Sequence, residues 1–323
     1  GATLILRSFI NLSRVPLGFD PHNVLRMQLR LRGNQYTQLI ERLEAHPGVD
    51  SASGVLIRPL EGTVGWDWNF TLEGQTSDEA RGNPDANFEV VHPHYFSTFG
   101  IPLKAGRVFE ASDNVEHQAV AVVSEALAKT HFGSAAAALG KRLKLGSPES
   151  EEPWKQIVGV VGDVRYRALH DSRLDLYVPF AQWAPGFVNH FGVRSSLPSA
   201  QVLALVRREV AAIDPKLAVS RVVTMDDLVA TQLARPRFNA ALLNWLSTLA
   251  VALAGIGIYG VLAYTIAERT NELGIRLALG AQTHDILKLV IGQGMVLVAT
   301  GIALGLVASF ALSRLLTNLL FGV

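Results

Sequence analysis

Residues 268–281 of this chain read Glu-Arg-Thr-Asn-Glu-Leu-Gly-Ile-Arg-Leu-Ala-Leu-Gly-Ala, and this polar segment lies between two long apolar runs. The runs, 238–267 and 289–313, contain no charged residue. A bilayer core about 30 Å thick requires roughly 20 apolar residues in a helix, and both runs are longer than that. A buried core helix of a soluble protein is the alternative, but such helices seldom stay uncharged over this length. The sequence therefore predicts two membrane-spanning helices joined by a short segment.

The composition agrees with insertion into a lipid bilayer. Hydrophobic residues make up 49% of the chain and charged residues 18%, against a usual charged fraction of about 25%, and the mean hydropathy is +0.25. Trp245 and Tyr264 stand near the two ends of the first run, where interfacial aromatic residues are expected. The net charge of +1 gives no support for a nucleic-acid partner, and the absence of cysteine excludes disulfides and thiolate metal ligands.

The region before the first run, about 16–237, has the mixed periodicity of an α+β domain. Residues 23–31 alternate with period 2 as a strand, a helix carries apolar residues at i, i+3, i+4 and i+7 from Tyr36 to Leu43, and a strand follows at 49–57. The same plan recurs as a strand at 190–195, a helix from about Val202 to Ile213 and a strand at 218–225. Two such βαβ units predict a split βαβ, ferredoxin-like fold whose halves are separated by an insertion.

The insertion, about 62–187, is expected to form a mainly β subdomain. The pattern predicts one short helix at 125–131, a polar loop at 146–153, and strands at 66–72, 87–91, 118–123, 142–145, 156–161 and 174–178. The expected fold class is therefore an α+β extracytoplasmic domain followed by an α-helical transmembrane region.

A search for catalytic and binding motifs returns little. The chain has no phosphate-binding loop of the form GxxxxGK[ST], no HExxH and no GxSxG, so we expect neither an enzyme nor a resident cofactor. His92 and His94 lack further ligands at metal-site spacing and fit a turn with surface histidines better. Residues 159–164 fit a strand ending in a turn, and the Asp226 and Asp227 pair fits the capping of a helix.

The segment between the apolar runs has charges with a helical geometry. On one helix Glu268, Glu272 and Arg276 are successive i, i+4 neighbours, and the Glu272 to Arg276 pair contributes roughly 0.2–0.5 kcal/mol. Leu273 and Leu277 give this helix an apolar flank that is able to lie on a membrane surface or against a partner protein. A merely solvated connector is the alternative, but it has no need of this apolar flank.

The same segment resembles the signature that follows the second transmembrane helix of MacB/FtsX-like ABC transporter permeases. Four stretches resemble the extracytoplasmic core domain of that family: 18–25, 46–52, 95–107 and 157–164. The tail at 315–323 is similar to the duplicated permeases frequent in soil bacteria. The family order is one helix, a large extracytoplasmic domain and three helices. By this resemblance residues 1–15 are the tail of a truncated first helix, 314–323 begin an extracytoplasmic segment, and the fourth helix is missing.

The resemblance implies mechanotransmission, in which a cytoplasmic ABC ATPase binds ATP and moves the transmembrane helices and, through them, the extracytoplasmic domain. The ATP belongs to that partner. Residues 268–288 would be the cytoplasmic coupling loop between spans 238–267 and 289–313, in a multi-pass protein of the bacterial inner membrane. The residues implied to contact or support the ATPase are Glu268, Arg269, Glu272, Leu273, Gly274, Ile275, Arg276, Leu277, Ala278, Leu279 and Gly280.

Two further expectations concern topology and assembly. Lys and Arg counts near the spans are equal on the two sides, so the orientation rests on the resemblance alone. The resemblance also implies a second permease unit, as a homodimer or a fused pseudo-dimer, and the candidate helix-packing residues are Gly255, Gly260, Gly301 and Gly305.

Three classes of function remain open at this point. The chain is either an export permease for an unknown substrate, a non-transporting transmitter that regulates a periplasmic enzyme or sensor, or a membrane-anchored enzyme. The last has the least support because no catalytic constellation is visible.

Overall fold

The structure is a computed structural model that describes residues 15–32, 34–56, 60, 66–166, 173–183, 189–272, 275, 279 and 282–316. It divides into two compact units, one formed by Val15–Leu233 and the other containing the chain from Ala234 onward. In chain order the elements of the first unit are β1 (Val24–Gln28), α1 (Gln35–Glu44), β2 (Val49–Val55), β3 (Trp66–Trp68), β4 (Phe70–Leu72), α2 (Ser77–Arg81), β5 (Ala86–Val91), α3 (Tyr95–Phe99), β6 (Leu103–Gly106), β7 (Val120–Ser124), α4 (Glu125–Phe132), α5 (Ala135–Ala138), β8 (Arg142–Leu145), β9 (Lys155–Val161), β10 (Leu174–Pro179), a 3₁₀ turn (Phe180–Gln182), β11 (His190–Ser195), α6 (Ser199–Ile213) and β12 (Ser220–Thr224).

The first and last elements of this unit form the predicted split βαβ arrangement. The strand order is β12-β1-β11-β2, and β11 is antiparallel to both of its neighbours. Strands β1 and β2 therefore run parallel with β11 inserted between them, as in a ferredoxin-like sheet. The predicted fold class is confirmed.

Helices α1 and α6 cover one face of this sheet because each presents an apolar stripe. Tyr36, Leu39, Ile40 and Leu43 of α1 are buried, as their spacing predicts, and they share a hydrophobic cluster with Met27 of β1. The α6 residues Val202, Val206 and Val210 are buried in the same cluster. The much shorter helix α3 lies on the opposite face, where a Cβ at Gly192 would come within 2.7 Å of the Phe99 ring.

The strands of the insertion close into a ring. β2 meets β5 at the Val55–Val91 pair, and pairing then continues in the order β5-β10-β7-β9-β8-β4. β3 pairs with β5, β4 pairs with β8, and only Asn69 separates β3 from β4. Residues 66–72 therefore join the two ends of this series. The single strand predicted there is wrong, because the chain must change pairing partners at Asn69.

The prediction of one helix in the insertion is also wrong, since α2, α3 and α5 accompany α4 in the described residues. The three additional helices have only four or five residues each, which is too short for an apolar stripe to repeat and reveal them. Capping holds α2 in place: the Thr76 hydroxyl accepts from the backbone N–H of Glu79, and the Glu79 carboxylate accepts from the N–H of Thr76. β6, which was not predicted, pairs with β9.

Two long helices follow, α7 (Met225–Glu268) and α8 (Thr283–Leu316). The Thr224 hydroxyl accepts from the N–H of Asp227 at 3.1 Å and donates to its carboxylate at 2.7 Å, so Asp227 has the predicted capping role. Asp226 contacts His22 instead. Among the described residues α7 alone is long and apolar enough to cross a membrane, and its most apolar stretch has no buried residue. At 1.5 Å per residue its 44 residues extend about 66 Å.

Candidate functional site

The predicted coupling segment begins where α7 ends. The helix stops at Glu268, Arg269 lies in a turn, and helical structure resumes at Thr270. The N–H of Arg269 is shared between the carbonyls of Thr265 and Ile266, each at 3.2 Å. The chain is therefore helical on both sides of Arg269, whose N–H keeps a helical bond to the Thr265 carbonyl, and the coupling role of Glu268 and Glu272 stays a prediction.

The described part of this segment is exposed to solvent. Glu268, Arg269 and Glu272 are exposed, and the apolar side chains of Ile275 and Leu279 are 62% and 83% exposed. The N–H of Leu279 donates to the carbonyl of Ile275, one helical turn back, at 3.0 Å. The other predicted coupling residues lie outside the described residues: Leu273, Gly274, Arg276, Leu277, Ala278 and Gly280.

The predicted helix-packing glycines face open space in the single chain. Among the described residues, and apart from the backbone of its own helix, a Cβ built on Gly255, Gly260, Gly301 or Gly305 would meet no heavy atom within 4 Å. At Gly294, by contrast, it would lie 3.1 Å from a methyl group of Leu262. Close approach of α7 and α8 therefore occurs at Gly294, and the role of the four predicted glycines in assembly stays a prediction.

A second cluster, which we call the entry joint, comprises Asp20, His22, Thr98, Gly100 and Arg194. The half-buried Arg194 side chain extends from β11 and donates four hydrogen bonds. Its Nε donates to the Thr98 carbonyl at 2.9 Å, and Nη2 donates to the Asp20 carbonyl at 2.9 Å. Its Nη1 donates to the Asp20 carboxylate at 3.1 Å and to the His22 carbonyl at 2.9 Å.

The entry joint lies where the four stretches that carry the family resemblance meet. The first stretch contains Asp20, and the third contains Thr98 and Gly100. The fourth touches the first, because a Cβ at Gly18 would lie 1.7 Å from the Asp163 carbonyl oxygen. The second supplies the Gly48 carbonyl, which accepts from the Ser195 hydroxyl at 2.6 Å, next to Arg194. Arg194 was not predicted from the sequence. The one feature that could have indicated it is a charged residue inside a strand that is otherwise buried.

A buried polar layer lies on one face of β5 and β10. Asn87 pairs with Asp175, and Glu89 pairs with Tyr177, in the parallel register of these strands. Burial raises the pKa of Asp175 well above its usual value, although hydrogen bonds from the Val164 N–H and the Asn87 amide oppose the shift. Burial likewise raises the pKa of Tyr177. In both groups burial thus favours the protonated, uncharged form over the ionised one.

The two histidines considered as metal ligands are in different environments. His94 is exposed and contacts the Glu44 carboxylate at 2.8 Å, as expected for a surface residue. His92 is half-buried, which the sequence did not predict, and burial together with His94 lowers its pKa to about 4. Within the described ranges no group of three or more His, Cys, Asp or Glu side chains is arranged to hold a metal ion.

An α+β domain followed by an uncovered apolar helix of membrane-spanning length defines a membrane protein with a large domain outside the bilayer. The sequence profile of the MacB-like periplasmic core domain matches residues 12–234, and that of the FtsX-like permease C-terminal region matches residues 244–323. The chain therefore belongs to the MacB-like periplasmic core domain family and is a MacB/FtsX-like ABC transporter permease. The predicted family is confirmed.

Similar proteins have names that refer to export. The macrolide export ATP-binding/permease protein MacB of Rhodopseudomonas palustris is 26% identical over 255 residues, which cover 74% of this chain and 37% of that protein. The probable syringafactin export ATP-binding/permease protein SyfD of Pseudomonas syringae is 25% identical over 248 residues, covering 72% of this chain and 35% of that protein. This chain thus spans little more than a third of the length of these relatives.

The crystal structure of the periplasmic region of MacB from Actinobacillus actinomycetemcomitans is 15% identical, with a TM-score of 0.46, and the match covers 68% of this chain and 97% of that one.

Proposed function

We propose that this chain is the permease part of an ABC export system and is driven by a partner ATPase that binds and hydrolyses the ATP. The observation that carries this proposal is the exposed segment after α7, which lies inside the region matched by the FtsX-like permease profile. The names of the relatives, which join an ATP-binding part to a permease, support the same partner. On this proposal the chain holds no cofactor and is not itself an enzyme.

In the proposed topology residues 268–288 form a cytoplasmic loop between membrane spans at 238–267 and 289–313. Residues 16–237 lie outside the inner membrane, with the insertion at about 62–187. Exposed Ile275 and Leu279 offer the ATPase an apolar contact, and Glu268, Arg269 and Glu272 offer it charges. Desolvated apolar anchors surrounded by polar groups are typical of protein interfaces.

Mechanotransmission is the proposed mechanism. Nucleotide-driven movement of the ATPase displaces the loop, the helices carry the displacement across the bilayer, and the extracytoplasmic domain changes position. A transmitter that regulates a periplasmic enzyme or sensor would use the same parts. Transport of a substrate into the medium by the reconstituted system separates the two outcomes.

The coupling step is tested by Glu272→Lys in the full protein co-expressed with its ATPase. We expect the reversed charge to lower co-purification of the ATPase about tenfold or more, since like charges placed against each other at an interface cost several kcal/mol. Glu272→Gln and Asn271→Lys each change the charge by one and form a matched pair. The glutamine variant should weaken the complex, whereas Asn271→Lys should not. Full co-purification and ATPase activity in Glu272→Lys would contradict the proposal.

A further inference from the structure

The chain reaches the extracytoplasmic unit through a short stretch, residues 17–23, which we call the entry segment. It is fixed to the unit by its backbone. The carbonyl of Leu17 accepts from the N–H of Arg165 at 3.0 Å, and the N–H of Asp20 donates to the carbonyl of Phe99 at 2.9 Å. At the end of the segment, the carbonyl of Asn23 accepts from the N–H of Ser195 at 2.9 Å. The entry segment is therefore tied to α3, to the turn after β9 and to β11.

The Arg194 side chain reinforces two of these ties, those of the entry segment to α3 and to β11. Its side chain is 16% exposed, and its guanidinium bridges the entry segment and the last turn of α3. The planar fork of an arginine holds several acceptors in fixed directions, which a lysine ammonium does not. A displacement of Asp20 thus reaches Thr98 through one rigid group.

The chain leaves this unit close to where it enters. β1, which follows the entry segment, pairs with β11 on one side and with β12 on the other. β12 leads directly into α7 through the Thr224 cap. The His22 Nδ1 atom lies 2.9 Å from the Asp226 carboxylate in the first turn of α7. Entry segment and exit helix are therefore joined both by adjacent strands and by a side-chain contact.

We propose that Arg194 is a positioning residue that couples the entry segment and the first turn of α7 to α3, so that these parts move as one body when the membrane helices are driven. This inference rests on the proposed function. Arg194 is assigned no contact with substrate or nucleotide. It acts by transmitting a displacement of the entry segment or of the first turn of α7 to α3. From α3 the displacement reaches the polar layer of β5 and β10 through Tyr95. The centroid of the Tyr95 ring lies 6.1 Å from that of Tyr177 in this layer.

The test is hydrogen–deuterium exchange of the full permease with its ATPase in lipid nanodiscs, without nucleotide and with ATP plus vanadate. In the unmodified protein we expect ATP plus vanadate to change exchange in peptides covering 95–100 and 225–233. In Arg194→Met the response at 225–233 should persist and the response at 95–100 should fall to background. Amide exchange at Asp20 should rise about tenfold, as expected for the loss of charged hydrogen bonds.

Two further variants separate coupling from folding. Arg194→Lys keeps the charge without the fork, and it should retain less than half of the response at 95–100. Arg173→Met removes an arginine that immediately precedes β10 and contacts Asp67 at 2.8 Å, away from the entry joint, and it should leave both responses intact. Protection of β5 and β10 should stay unchanged in all three variants.

An unchanged response at 95–100 in Arg194→Met overturns the coupling role of Arg194. So does an unmodified protein in which 225–233 responds to nucleotide and 95–100 does not, and in both cases the proposed function stands. If no peptide responds to nucleotide, including those covering 268–272, both the proposed function and this inference fail. Loss of protection in β5 and β10 of Arg194→Met, with a full response at 95–100 in Arg194→Lys, assigns Arg194 to folding alone and also overturns the inference.

Discussion

Gly100 lies so close to Asp20 that a Cβ on the glycine would sit 2.7 Å from the Cβ of the aspartate. Gly100 ends α3 with a φ of +64°, in the left-handed region that suits glycine. The same built Cβ would lie 3.1 Å from Nη2 of Arg194. A glycine is therefore required at this position for two independent reasons, one conformational and one steric, and the steric reason belongs to the entry joint.

The variant Gly100→Ala should destabilise the protein more than conformation alone explains. Gly133 ends α4 with a φ of +80°, and beyond its chain neighbours no described atom lies within 4 Å of its Cβ position, so Gly133→Ala measures the conformational cost, about 1–2 kcal/mol. Overpacking against Asp20 should add about 1–3 kcal/mol in Gly100→Ala. Thermal unfolding of the full chain in detergent measures the difference. Equal losses in the two variants would show that the contact with Asp20 relaxes without cost.

The half-buried His92 should make the protein less stable in acid. Burial and the neighbouring His94 hold its pKa at about 4 in the folded state, against the ordinary 6.5 of an unfolded chain. As the pH falls from 6.5 to 4 the unfolded chain binds a proton that the folded protein does not, so the free energy of unfolding decreases. The loss should reach about 2–3 kcal/mol by pH 4.

The variant His92→Gln tests this dependence. Between pH 7 and pH 4 the free energy of unfolding of His92→Gln should decrease less than that of the unmodified protein. His117→Gln, which replaces an exposed histidine, should show the same decrease as the unmodified protein. The measurement is the unfolding midpoint of all three proteins across this range. A parallel pH dependence of His92→Gln and the unmodified protein would assign the acid sensitivity to other groups.

Sequence periodicity predicted those elements that are long enough to repeat. The α1 stripe from Tyr36 to Leu43 specified both the helix and its buried face, because that face packs on the core. The alternation of β1 located the strand, but the prediction that only one side of it faces a core is wrong, because residues 24–27 are all buried. Helix α3 has five residues and ends at Gly100, so its sequence holds little more than one turn of pattern. Its place is set by packing, with Phe99 against Gly192.

The pairing of distant segments was beyond sequence reasoning for the same physical reason. Closure of the ring depends on the pairing of Trp66 with Phe88 and of Phe70 with Leu145. Neither pairing is indicated by the sequence around these residues. Arg194 gains its role from acceptors at Asp20 and Thr98, which are distant in the chain. In the coupling segment, the sequence pattern gave no sign of the turn at Arg269, which lies between the helical residues Glu268 and Thr270.

The proposed topology predicts opposite accessibility for two engineered thiols in a chain that has no cysteine of its own. Asp78→Cys lies on α2 of the extracytoplasmic unit, where the native side chain is 87% exposed. It should react with a membrane-impermeant maleimide in intact spheroplasts. Asn271→Cys, in the proposed cytoplasmic loop, should react only after permeabilisation. Labelling of Asn271→Cys alone in intact spheroplasts would reverse the orientation.

Assembly with a second permease unit is predicted to involve the open face around Gly301 and Gly305. Because no described atom outside the backbone of α8 itself lies within 4 Å of their Cβ positions, added side chains should leave the fold of the chain intact and affect only a partner helix. We expect Gly301→Leu and Gly305→Leu to weaken self-association about tenfold, since overpacking costs about 1–3 kcal/mol. Energy transfer between labelled copies in liposomes of decreasing protein density measures this.

Ala303→Leu, at an exposed position two residues from each glycine, is the matched control and should associate normally, because a side chain there points to a different side of α8. Equal weakening by all three leucines would indicate a general effect of bulk in the span and would remove the glycine face as the contact surface.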